Sequence, residues 1–177
     1  MNIFYLDKNA ELSAQFHNDK HVVKMIVEYA QLLSTAHRVL DGKIYFEKSK
    51  NNRNIKRYLL KNNEDVLYKA THMNHPSAIW VRQSTKHYEF LLKMFISLCN
   101  EYTLRYNKVH KTASLINALC KLPKNLKDNS FSEPPLAMPD YCKLNDAVQS
   151  YRNYYLKEKS NFLNYTNTTI PYWIKKD

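Results

Sequence analysis

The chain has 177 residues, of which 44% are hydrophobic and 24% charged, with a formal net charge of +11. That length fits one domain with a real core, and the cation excess predicts a polyanionic partner, nucleic acid first and an anionic membrane surface as the rival. A single glycine, Gly42, excludes Walker, dinucleotide and kinase-type phosphate loops, which need several glycines at close spacing.

Met1 to Leu6 is short and apolar and predicts a strand or an extended arm lying on the core, followed by a turn at Asp7–Asn9. It does not read as a signal peptide. A helix is expected from about Ala10 to Leu40, with an interruption near Asn18-Asp19. Asp41-Gly42 ends it, glycine being the usual residue just past a helix C-terminus. Wound at about 100° per residue, His17, His21, Lys24, Glu28, Gln31, Thr35 and Arg38 share one narrow polar stripe. Nearly everything around them is apolar, the reverse of an ordinary surface helix. Such a stripe predicts a cleft wall able to do acid–base or phosphate chemistry. The plainer alternative is a stripe that meets water at the protein edge.

Four of these residues form the expected catalytic group: His17, His21, Lys24 and Glu28. His17 and His21 stand four apart, a spacing that lets two imidazoles share a metal. No glutamate completes a zincin pattern, so free imidazoles are expected, with no metal and no cofactor. Lys24 can act as a nucleophile or phosphate clamp. Glu28 either pairs with Lys24 or His21, or serves as a general acid–base group.

Residues 43–70 are basic and irregular, with Lys48, Lys50, Arg53, Lys56, Arg57 and Lys61. They predict a mobile loop with a short helix near Ile55–Leu60, contacting nucleic acid or simply solvated. Asn74-His75-Pro76 starts the next helix, with Trp80 and Arg82 further along it. Its N-terminal N–H groups favour an anion, unless His75 merely caps them. Ser84 or Thr85 should cap a long amphipathic helix to Tyr106, and Thr112–Leu122 a shorter one stopped by Pro123. Residues 123–145 form a long loop stiffened by Pro134, Pro135 and Pro139, a candidate wall or lid. A last helix is expected over Asp146–Tyr165, and the aromatic tail around Tyr172 and Trp173 should dock on the core. Arg105 and Arg152 lie among tyrosines, a mixture that suits phosphate contact with base stacking or ordinary packing. Cys99, Cys120 and Cys142 are read as reduced and buried. No repeat, boundary or membrane-spanning stretch divides the chain. The expected architecture is an all-α, compact single-domain bundle of five to six helices over residues 1–177, with a short extended N-terminal segment and a proline-rich loop.

Two resemblances add to this reading. The segments Asp19–Met25, Ala30–Arg38, Asn74–Arg82, Pro134–Asp140 and Tyr151–Tyr155 resemble a tailed-phage protein family, a likeness that brings no function with it. The layout of a short N-terminal segment, a first helix with a basic-polar stripe, a His-containing turn and a long amphipathic helix is similar to the pyrimidine-dimer DNA glycosylase family of endonuclease V type. That resemblance implies an all-α fold and an α-amine that attacks the sugar carbon. It also implies a helper glutamate on the first helix, with arginines beside it on the DNA backbone. Here residue 2 is Asn2, where the family usually has Thr, so the amine would belong to Met1. The family glutamate aligns near His21, Glu28 lies about two turns on, and Lys20 and Lys24 stand where the family places arginines.

Together these readings predict a phage-encoded enzyme acting on nucleic acid, DNA in particular, in the cytoplasm of the infected cell. It would be DNA glycosylase/AP-lyase-like or base-modifying. The nucleic-acid or anion contacts would be Lys20, Gln31, Arg38, Arg53, Arg57, Asn74, His75, Trp80, Arg82, Arg105 and Arg152. A small-nucleotide hydrolase or transferase using the same cleft is one alternative. A non-catalytic basic protein that binds DNA or a host protein is another. Oligomeric state stays open.

Overall fold

The computed structural model describes residues 1–174. Among them are six α-helices: α1 Ala10–Gln15, α2 Asp19–Asp41, α3 Pro76–Val81, α4 Thr85–Tyr106, α5 Ile116–Leu119 and α6 Ala147–Glu158. Two strands, β1 Lys43–Lys48 and β2 Asn54–Leu59, pair antiparallel, from Lys43 opposite Leu59 to Lys48 opposite Asn54. The molecule is thus mainly helical and not strictly all-α.

The expected helix over residues 10–40 is two helices, because Asn18 is extended and caps α2, accepting from the His21 N–H at 3.0 Å. Asparagine prefers that position to a helix interior. The basic segment is a hairpin instead of a loop with a helix. Ile44, Tyr45, Phe46, Ile55 and Tyr58 favour strands, and Asn52 takes the left-handed turn conformation at φ 56°, which asparagine tolerates well.

Gly42 does follow α2, but with an extended backbone at φ −80°. Its missing Cβ is what matters. An added Cβ would lie 2.4 Å from the Arg38 carbonyl oxygen and 2.8 Å from Tyr58 Cβ. The glycine therefore lets the hairpin leave close beside the helix end.

α4 packs against α1 and α2, capped at its start by Ser84 and closed by Asn107 in the left-handed region. The N-terminal arm is extended and unpaired with any strand. Ile3 and Leu6 are fully buried. Ser13 Oγ accepts from the Leu6 N–H and donates to the Phe4 carbonyl, both at 3.0 Å. The expected helix over 112–122 is shorter, a 3-10 turn at Lys111–Leu115 followed by α5. α6 ends at Glu158 instead of Tyr165. The proline loop straps onto the core: Trp80 Nε1 donates to the Ser132 carbonyl and Tyr151 Oη to that of Pro135. Trp173 in the tail packs against the core. Cys99 and Cys142 are buried, whereas Cys120 is exposed, contrary to expectation, and all three are free thiols. Among the described residues, no helix is long and apolar enough to cross a membrane.

Candidate active site

The polar stripe divides into two groups that face different surroundings. His17 lies between α1 and α2 and is fully buried. Its Nδ1 sits 2.7 Å from the Ser13 carbonyl and its Nε2 2.8 Å from Tyr29 Oη. A carbonyl only accepts, so Nδ1 carries the proton and Nε2 accepts from the tyrosine. His21 is also buried. Its Nδ1 meets Tyr155 Oη at 2.5 Å, and the Phe4 ring lies 4.3 Å from the imidazole. Burial pushes the His17 pKa down to about 3, helped by the Arg105 charge. Burial pushes that of His21 down to about 2, with His17, Lys159 and Lys24 acting the same way. Both rings are uncharged at neutral pH and sit inside an aromatic layer. The cleft-wall imidazoles expected from the stripe are thus core residues, and the metal-sharing spacing brings their ring centroids only to 6.3 Å. Among the described residues, no three of His, Cys, Asp and Glu come close enough together to hold a metal ion.

Lys24 and Glu28, next along the stripe, reach the surface. Lys24 Nζ lies 3.2 Å from Glu28 Oε1, with the lysine two-thirds exposed and the carboxylate 17% exposed. Gln31 follows, half-buried. Thr35 is buried and ties the line to the segment before α3: its Oγ1 donates to the Thr71 carbonyl at 3.4 Å and accepts from the Thr71 N–H at 3.2 Å. Further along that segment Asn74 is exposed and His75 half-buried. His75 Nδ1 accepts from the Ser77 N–H at 3.2 Å, so the imidazole itself caps α3 where an anion was expected. Ser77 Oγ donates in turn to the Met1 carbonyl at 3.3 Å. The His75 pKa is lowered by burial and then by the Met1 ammonium and His72, with Glu28 opposing. The Met1 end and His75 therefore meet at the start of α3 through Ser77.

Three arginines expected to meet anions are placed in the interior. Arg38 donates to the carbonyls of Tyr58, Glu64, Leu67 and Tyr68 and to the Glu64 carboxylate. Arg105 donates to Glu101, Asp19 and the carbonyls of Gln15 and His17. Arg152 donates to the Leu6 carbonyl, Asp7 and Tyr172 Oη. Each guanidinium is spent on main chain and carboxylates, which is how a buried arginine is satisfied. Trp80 is buried and stacks on His87 at 4.2 Å. Arg82 is half-buried, with Nη1 on the carbonyls of Met73 and Ala78. Lys20 is exposed, 4.4 Å above the Phe162 ring. Arg53 is exposed at the hairpin turn, and Arg57 pairs with Glu47 at 2.6 Å.

Tyr29, Tyr155 and Ser77 are the partners that sequence reasoning did not assign to the site. Tyr155 meets His21 across 134 residues, a contact with no local signal.

The fold and site define a mainly helical, strongly basic protein with a lysine–carboxylate pair at the surface of α2. Residues 1–114 match the family model for pyrimidine dimer DNA glycosylase, and the chain belongs to that family. No curated protein and no solved structure matches it.

Proposed function

We propose that this protein is a DNA glycosylase with lyase-type chemistry, encoded by a tailed phage and acting on damaged DNA in the infected cell. In this reading Glu28 is its working carboxylate. The observation that carries the proposal is the Lys24–Glu28 pair at the surface of α2, in a chain whose Met1 end is held at the start of α3. Family membership favours DNA over a small nucleotide as substrate.

An amine nucleophile forms a bond to the sugar C1′ while the C1′–base bond breaks, and the base leaves with the bonding pair. Glu28 takes the proton that the attacking nitrogen loses and returns it to O4′ as the C1′–O4′ bond breaks, which leaves a protonated imine at C1′. Lys24 Nζ stands 3.2 Å from Glu28 Oε1, and the Met1 end is tied to the start of α3 through Ser77. The resemblance to endonuclease V type enzymes favours the α-amine. His75 holds the start of α3 and, through Ser77, the Met1 carbonyl. Its role is that of a positioning residue. We assign His17, His21, Arg38, Arg105 and Arg152 to the framework that sets this geometry. Lys20, Gln31 and Asn74 border it and are assigned to DNA contact.

The test is incision of three duplexes: one with a pyrimidine dimer, one with an abasic site and one undamaged. Wild type should cut the first two and spare the third. Glu28→Gln should lower the rate by at least about 100-fold, the scale of a lost acid–base group, with an unchanged melting temperature. Equal cutting of all three duplexes, or a fully active Glu28→Gln, contradicts the reading.

A further inference from the structure

We infer that the β1–β2 hairpin is an arm that enters a groove of duplex DNA, with Phe46 set against the bases and Lys48, Lys50, Arg53 and Lys56 on the phosphates. The inference rests on the DNA-acting reading above, deepens it, and names a surface that the Glu28 site does not contain.

Charge is concentrated in this arm. Residues 43–61 hold seven cations and one carboxylate, a net +6 of the chain's +11. The lone carboxylate, Glu47, is taken by Arg57 at 2.6 Å. Among the described residues, Lys48, Lys50, Arg53 and Lys56 pair with no carboxylate. Concentrated, uncompensated positive charge is what a phosphate backbone selects.

One face of the ribbon joins that charge to an exposed ring. Strand alternation and the register of Phe46 opposite Lys56 and Lys48 opposite Asn54 put these residues on one side. Phe46 is 66% exposed there and Ile44 49%. A phenylalanine ringed by unpaired lysines is poorly suited to an apolar protein contact, which depletes lysine at its centre. It suits a DNA groove, where an apolar side chain meets thymine methyl groups or wedges between base steps, flanked by rows of phosphate.

The arm also has the right size and a firm mounting. Strands of six residues make a ribbon about 20 Å long, and the DNA major groove admits a two-stranded ribbon. The base of the arm is fixed: Tyr58 is 9% exposed and its carbonyl accepts from Arg38 Nη1 at 2.8 Å. The buried arginine of α2 thereby aims the arm from the helix that carries Glu28.

The test uses the full chain and undamaged duplex, so that no chemistry is required. Binding is followed by fluorescence anisotropy across a salt series. Lys48→Ala/Lys50→Ala/Arg53→Ala should reduce the slope of log affinity against log salt by roughly 2–3, since each phosphate contact contributes about 0.9. Phe46→Ala should weaken binding roughly five- to a hundredfold, the scale of one lost base–aromatic contact, with the slope unchanged. Phe46→Trp should restore it. All four positions are exposed, so melting temperatures should stay at the wild-type value. An unchanged slope in the triple variant overturns the inference, as does a loss confined to anionic vesicles with duplex binding intact. If incision fails in every protein but the arm variants still lose duplex binding, the arm stands without the glycosylase chemistry. Full incision by arm variants that keep wild-type duplex affinity overturns the arm and leaves the glycosylase chemistry standing.

Discussion

Glu28 and His21 stand two turns apart on α2, and their surroundings give them different work. Glu28 keeps an edge in solvent and holds Lys24. His21 is locked between Tyr155 and Phe4. His21→Ala should therefore cost about 2–4 kcal/mol, through a cavity and an unpartnered tyrosine hydroxyl, read as a lowered denaturant midpoint. Glu28→Gln should leave that midpoint in place. The buried imidazoles also set a pH dependence. Unfolded histidine titrates near 6.5, while His17 and His21 in the fold titrate near 3 and 2. Between those values the unfolded chain binds more protons, so stability rises with pH. The protein should hold its full histidine contribution above about pH 7. It should lose about 1.4 kcal/mol per pH unit for each ring as pH falls below 6. Equilibrium unfolding at pH 7, 6 and 5 checks the sign, and a stability that grows on acidification would contradict it.

At the scale of elements, Arg38 couples α2 to everything between the hairpin and Tyr68. Its five hydrogen bonds reach Tyr58, Glu64, Leu67 and Tyr68. Arg38→Ala should destabilise by about 3–5 kcal/mol, because the Glu64 carboxylate and several carbonyls lose their partner. Hydrogen exchange should show residues 43–70 loosening before α4 does. Gly42→Ala should act on the same joint, since its Cβ meets the Arg38 carbonyl oxygen at 2.4 Å. Helices are legible in the sequence where caps and periodicity agree: Asn9, Ser84 and Asp146 each accept from backbone at a helix start. The hairpin is not legible, because lysines and asparagines obscure the alternation of Ile44, Phe46 and Tyr58. Its turn rests on one asparagine at positive φ. The Lys24–Glu28 pairing is legible because i,i+4 neighbours on a helix meet whatever the tertiary structure. The fate of Arg38, Arg105 and Arg152 is not. Burial of an arginine depends on carbonyls brought from distant segments, and no local pattern records them.

For the whole molecule, one cluster of buried side chains runs from Ile3 on the N-terminal arm to Tyr155 on α6. It holds the Met1 end against the start of α3. In the proposed reading the Met1 amine and the Lys24–Glu28 pair form one amine-and-carboxylate centre. The most direct test of this centre is reductive trapping. The protein is incubated with abasic-site duplex and borohydride, and the cross-linked peptide is mapped by mass spectrometry. The expected product is a covalent protein–DNA adduct on the amine of Met1 or of Lys24, formed by wild type and strongly reduced in Glu28→Gln. An adduct elsewhere in the chain, or incision of the same duplex with no adduct at all, would contradict an amine-and-carboxylate centre at this place.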